Sequence, residues 1–176
     1  MRVCINITYH MIQKLIYNYG GPVALIFLSA VIWFSWFDIL QVRENSMEPI
    51  LHNGQTILVN KLAYKGLFHT DKLPEENDII IFRTPIDNKL VVKRCRLLPG
   101  ESVIISQEGW LLVGDQEFFL TTSQKNRLIQ NPVIPDDFIM VLGDNSFHSV
   151  DSRDYGFIPV SRILGKVINS PHRKTY

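Results

Sequence analysis

Between Leu15 and Phe37 the chain carries no charged residue, a run of 23 positions. No other feature limits the fold as strongly. As a helix the run would extend roughly 34 Å, at about 1.5 Å per residue. A bilayer core asks for about 20 apolar residues. Pro22 falls near the start of the apolar core, where a missing N–H costs little. Trp33 and Trp36 stand near one end and Tyr17 and Tyr19 near the other, as aromatic residues do at the two faces of a membrane. A cleavable secretory signal has a similar plan, but its apolar part is about 7–15 residues long and a small-x-small site follows it. Here Phe37-Asp38-Ile39-Leu40-Gln41 follows. The run therefore reads as a retained anchor. The expected division is a short N-terminus over 1–14, a transmembrane anchor over 15–40 and a domain over 41–176.

Composition agrees with this division. Hydrophobic residues make up 46% of the 176-residue chain, and 15 of them lie between positions 21 and 40. Without that stretch the remainder falls to about 42%, an ordinary globular value. A net charge of +1 offers no electrostatic case for a nucleic-acid partner. Arg2 and Lys14 precede the run with no acid beside them. The positive-inside rule then puts the N-terminus in the cytoplasm (or an organelle matrix) and residues 41–176 outside. The tail from Ser170 to Tyr176 is polar, so a single crossing is expected. Cys4 and Cys95 would lie on opposite sides of the membrane, and no intrachain disulfide is expected.

Beyond the anchor the pattern is strand-like. Thr56–Val59, Ile79–Phe82, Leu90–Val92, Ser102–Ser106, Trp110–Val113 and Phe138–Leu142 are short apolar or β-branched runs. Pro85, Asp87 and Asn88 predict a hairpin loop between the second and third. Helical periodicity of useful length is missing after the anchor. The expected fold is mainly β: one N-terminal transmembrane helix followed by an antiparallel β domain.

Eleven serines rule out choosing a nucleophile by count. Ser46 is distinguished by place, nine residues after the charge-free run, where a nucleophile would work at the membrane surface. A juxtamembrane turn closed by Pro49 is the plain alternative. A serine hydroxyl needs a base. His148 near Asp151 invites a Ser-His-Asp reading, although such triads are recognised by geometry rather than by closeness in sequence. Lys93 is the other candidate base. It ends the apolar run Leu90-Val91-Val92, and burial there would favour its neutral form. The third segment, Gly143 to Gly156, crowds Asp144, Asn145, Ser146, Ser149, Asp151, Ser152, Arg153 and Asp154 into one loop. A calcium loop would need alternating oxygen ligands and a closing Glu, which this segment lacks. A hydrogen-bonded network that orients a catalytic group fits the composition better.

Taken together these segments resemble the type I signal peptidases of bacteria and organelles. Ser46-Met47-Glu48-Pro49 resembles that family's nucleophile box. Lys93-Arg94 with Leu98-Pro99-Gly100-Glu101 resembles its lysine box, and Asn77–Phe82 its intervening strand box. Gly143-Asp144-Asn145, Ser149, Asp151-Ser152-Arg153 and Gly156 resemble its last box. The matches keep their order from residue 44 to 160. Departures are Ile50, Asn77, Leu97, Glu101 and Ser146, and Glu44 where Gram-negative members carry a serine that donates to the oxyanion. A carboxylate can only accept.

The resemblance implies an antiparallel β catalytic domain of signal-peptidase type and a Ser46–Lys93 dyad that cuts after small-x-small sequences such as Ala-x-Ala. It implies that Ser149 orients the lysine amine. It implies that Asp151 pairs with Arg153, with Asp144 and Ser152 in support. Val42, Met47, Leu51 and Val92 are the expected lining of small apolar substrate pockets. The implied partners are the signal peptides of secreted preproteins and the lipid bilayer, with no metal, cofactor or nucleic acid. The implied site is the bacterial plasma membrane, with the mitochondrial inner membrane as alternative. Self-cleaving SOS repressors share a Ser–Lys dyad but carry a DNA-binding region. Penicillin-binding proteins use Ser-x-x-Lys, where this chain has Pro49. A specialised maturation protease, or an anchored β domain that only binds a partner, are the remaining readings.

Overall fold

The computed structural model describes residues 2–65 and 72–169, with side chains from residue 13 onward in the first helix. The tail read above as polar lies outside these residues, as do residues 66–71. Two compact units divide near Phe37. The first is one helix, α1 (Arg2–Trp36), which begins well before the apolar run. Within it Gln13–Trp36 is long and apolar enough to cross a membrane. Leu25, Ile26, Phe27 and Phe34 of this helix are all exposed. The helix stops at Trp36, four residues short of the boundary at 40 expected from the sequence. Phe37–Gln41 is already strand β1. Its Asp38 closes the apolar run, and the strand gains a partner in the strand Thr56–Asn60.

The second unit is built on antiparallel strands: β2 (Thr56–Asn60), β3 (Ile79–Arg83), β4 (Leu90–Leu97), β5 (Ile104–Ile105), β6 (Trp110–Val113), β7 (Gln116–Phe119), β8 (Phe138–Leu142), β9 (Ile158–Pro159) and β10 (Ile163–Val167). Seven form one sheet in the order β1-β2-β10-β3-β4-β8-β9, and β5-β6-β7 form a second. The β3–β4 hairpin turns where Pro85, Asp87 and Asn88 predict it. Asp87 accepts from Thr84 Oγ1 and pairs with Lys89 at 2.8 Å, while Asn88 takes the left-handed turn at φ 57°. Gly165 lets β10 pass close to β2, because a Cβ there would lie 2.6 Å from the Asn60 carbonyl oxygen.

Three expectations change. The strand read at Leu90–Val92 continues through Lys93-Arg94-Cys95-Arg96-Leu97, because its charged members are buried against long-range partners. The segment 115–135, read without helix, contains α2 (Thr122–Ile129). A reciprocal cap starts it: Thr121 Oγ1 accepts from the Gln124 N–H, and Gln124 Oε1 accepts from the Thr121 N–H. Only Leu128 of this helix is buried, too few apolar positions to register as a period. Of Ser102–Ser106 only Ile104–Ile105 is strand.

Three apolar clusters hold the sheets. Val42, Met47, Leu51, Ile57, Ile81 and Val92 belong to the cluster under the nucleophile segment. Leu111, Leu128, Met140 and Leu142 belong to the one beneath the smaller sheet. Ile80, Phe82, Ile139 and Ile158 belong to the third.

Candidate active site

Three segments separated by about 50 residues each meet at one place. Ser46 opens a tight turn in which the Ile50 and Leu51 N–H groups both donate to the Met47 carbonyl. The turn is pinned from below by Met47 and Leu51, both wholly buried. Glu44, in left-handed backbone at φ 72°, redirects the chain from β1 into this turn.

Lys93 lies mid-sheet on β4, paired in register with Ile80 of β3. It is 3% exposed, and its Nζ lies 2.6 Å from Ser46 Oγ in hydrogen-bonding contact. Burial pushes its pKa down; the negative charges of Asp151 and Glu44 oppose that shift without reversing it. A lysine biased to its neutral form, touching a serine hydroxyl, can accept that hydroxyl's proton. A charged ammonium cannot.

The third segment, Gly143–Ser149, lies against the back of the nucleophile turn. The Asn145 N–H donates to the Ser46 carbonyl at 3.0 Å, and Asn145 Nδ2 donates to the Asn45 carbonyl at 3.0 Å. Gly143 is required by space alone. A Cβ there would meet the Ser46 carbonyl oxygen at 2.6 Å and overlap the Ser149 side chain. Asp151 and Arg153 form the expected pair, with Nε and Nη2 each donating at 2.9 Å. Asp151 also accepts from the Gly143 N–H and caps the short helix α3 (Ser152–Tyr155). Arg153 further donates to the Ser146 hydroxyl and carbonyl, each at 2.9 Å. Ser152 Oγ accepts from the Val141 N–H, tying α3 to β8.

Some placements differ from expectation. Asp144 does not join the Asp151–Arg153 pair. It takes Arg94 through two parallel bonds of 2.7 Å, with both side chains under 8% exposed. This ties β4, beside Lys93, to the loop behind Ser46, a partnership that sequence spacing gave no means to assign. The hydrogen bond expected from Ser149 to the lysine is not made: Ser149 Oγ is buried without a hydrogen-bond partner among the described residues. His148 is exposed, and its imidazole contacts Asn145 rather than Ser46.

A cleft of about 440 Å³ opens over the Ser46–Lys93 contact. Of the four expected pocket residues, Val42 and Val92 line it, together with Leu40, Ile57, Ile81 and Leu90. Met47 and Leu51 do not line it. They are consumed as core beneath the turn. Glu44 is exposed and lines the cleft. The missed lining residues Ile57 and Ile81 belong to strands whose relative order the sequence did not reveal.

The sequence profile of the signal peptidase family, peptidase S26, matches residues 16–170. The chain is 31% identical to a probable signal peptidase I-1 of Synechocystis, over 83% of this chain and 76% of that one. It is 32% identical to signal peptidase I of Bacillus caldolyticus, over 74% and 77% of the two chains. It is 28% identical to mitochondrial inner membrane protease subunit 1 of Saccharomyces cerevisiae, over 82% and 72%. The chain spans 40% to 64% of the length of three longer relatives from cyanobacteria and Arabidopsis thaliana.

Proposed function

Because the chain belongs to the signal peptidase family and is a serine peptidase, we propose that it removes N-terminal signal peptides from exported preproteins through a Ser46–Lys93 dyad. The observation that carries this reading is the 2.6 Å contact between a buried lysine and the serine hydroxyl. Neutral Lys93 takes the Ser46 proton as Oγ attacks the scissile carbonyl. The protonated amine then delivers that proton to the departing nitrogen, leaving an acyl-enzyme. Lys93 next takes a proton from the attacking water and returns it to Ser46 Oγ as the acid product forms. The Ser46 backbone N–H is the proposed oxyanion donor.

The signal peptide would lie extended against β1 near Leu40–Val42 and β4 near Leu90–Val92, adding itself as a strand. The Val42, Ile57, Ile81 and Val92 side chains narrow the cleft, which supports selection of small residues such as Ala-x-Ala. Asp151, Arg153, Ser152 and the Asp144–Arg94 pair hold the loop behind the nucleophile; Ser149, beside Gly143, belongs to the same support. The N-terminus would lie in the cytoplasm or matrix and residues 41–176 outside, in a bacterial plasma membrane or the mitochondrial inner membrane. Protease added to intact spheroplasts or mitoplasts should digest the C-terminal domain.

The test of the dyad uses purified protein in detergent and a preprotein or Ala-x-Ala peptide. Ser46→Ala and Lys93→Ala should each abolish cleavage, and His148→Ala should leave most of it. Substantial cleavage by Lys93→Ala rejects the dyad.

A further inference from the structure

Lys93 stands on β4, and β8 leads into the Gly143–Ser149 loop behind Ser46. The two strands pair with each other, Arg94 opposite Leu142 and Cys95 opposite Val141. Between them the chain leaves the main sheet for residues 98–137, which hold the smaller sheet and α2. Among the described residues, none of these lines the cleft over Ser46 and Lys93. The segment can act on the reaction only through other residues, and it reaches the loop's support at two adjacent positions of α3. Gln124 of α2 donates from Nε2 to Asp154 Oδ1 at 2.7 Å. The buried Phe118 ring of β7 has the Arg153 guanidinium carbon 5.8 Å from its centroid and that of Arg96 at 5.7 Å, within cation–π reach. Arg96 in turn donates to Gln116 of the same strand at 2.7 Å.

Gln124 has two tasks. Its Oε1 accepts from the Thr121 N–H and closes the cap of α2, which a glutamate would do as well. Only the amide nitrogen of a glutamine can also donate to Asp154, because a carboxylate accepts and does not donate. That bond, strengthened by the Asp154 charge, is the first of a short series. Asp154 Oδ2 accepts from the Asp151 N–H at 3.1 Å, and Asp151 Oδ2 accepts from the Gly143 N–H at 3.0 Å. Two residues on, the Asn145 N–H donates to the Ser46 carbonyl at 3.0 Å. Asp154 thus caps α3 with one oxygen and is held from α2 by the other.

We propose that the segment between β4 and β8 braces the catalytic loop, with Gln124 as a positioning residue that acts on Ser46 through Asp154, a role that rests on the Ser46–Lys93 reading. An exchange of donor and acceptor tests it in the full-length protein in detergent. The readouts are kcat and KM on an Ala-x-Ala peptide, with folding followed by circular dichroism. Gln124→Glu keeps the α2 cap and sets two carboxylates against each other. Asp154→Asn keeps the α3 cap and sets two amide groups against each other. Each should lower kcat about tenfold, the contribution of a hydrogen bond to a charged acceptor, with KM unchanged because the cleft keeps its lining. Combined, the two substitutions again face one donor with one acceptor, and kcat should return to within about threefold of wild type. A purely structural contact would lower the Tm and leave the kcat of the folded protein alone. The brace is rejected if Gln124→Glu keeps kcat within about threefold of wild type, if the two losses add in the double variant, or if the loss lies in KM or in the folded fraction alone. Absence of Ser46-dependent cleavage by the wild-type protein overturns the dyad and the brace together. Ser46-dependent cleavage with an unimpaired Gln124→Glu protein sustains the dyad and rejects the brace.

Discussion

Gly143→Ala tests how closely the support loop fits the nucleophile. Gly143 is not in left-handed backbone, so alanine meets no φ penalty, and only space opposes it. The new methyl would sit 2.6 Å from the Ser46 carbonyl oxygen, where ordinary contact begins at 3.4 Å. One partner must therefore retreat by about 0.8 Å. The loop is held by the Gly143–Asp151 bond and the buried Asp151–Arg153 pair, so the nucleophile turn is the part that yields. Ser46 Oγ begins 2.6 Å from Lys93 Nζ. A retreat of that size takes it to the edge of the roughly 2.6–3.2 Å reach of proton transfer or beyond. Misplacement of about 1 Å typically costs about 10² in rate. Overpacking costs about 1–3 kcal/mol, or a Tm lower by about 3–10 °C in a chain of this size. The assay pairs kcat on an Ala-x-Ala peptide with thermal melting followed by circular dichroism. Adding Ser149→Ala should not rescue kcat, because it removes only the Oγ overlap and leaves the Ser46 carbonyl in place. A Gly143→Ala protein with kcat within about threefold of wild type and an unchanged Tm refutes the reasoning.

Three further outcomes are expected. In the proposed dyad Lys93 acts only when neutral, and its folded pKa is lowered by burial, so activity should rise with pH through a value below the ordinary lysine pKa of about 10.4. Between those two values the unfolded chain holds a proton that the folded one lacks, so stability should also rise with pH there; titration showing Lys93 charged throughout the active range contradicts both. Asp144→Asn leaves the buried Arg94 without its countercharge and should cost about 3–5 kcal/mol, read as a lower midpoint in urea. Glu44→Ala removes no oxyanion donor and should change kcat by less than about tenfold, whereas a drop of about 10² or more would make Glu44 a protonated donor.

The comparison of sequence with structure divides along the range of the forces involved. The long apolar helix is legible because some twenty consecutive residues that avoid charge, as a bilayer span requires, are a property of the residues in line. The strands Thr56–Val59, Ile79–Phe82, Trp110–Val113 and Phe138–Leu142 are legible for a like reason, since short runs of β-branched and apolar residues favour the pleated backbone locally. The Pro85–Asn88 turn is legible from residues that favour turn dihedrals. Ser46 and Lys93 could be singled out by their neighbours, yet their contact crosses 47 positions of sequence and depends on strand order β1-β2-β10-β3-β4. The same order decided that Arg94 pairs with Asp144, that β4 continues through five further buried residues, and that Ile57 and Ile81 line the cleft while Met47 and Leu51 sink into the core. Apolar character marks a residue for burial, but which surface buries it is fixed only when distant strands pair. That the Tyr155 hydroxyl has no hydrogen-bond partner among the described residues belongs to that second kind of fact, since a missing partner has no sequence signature at all.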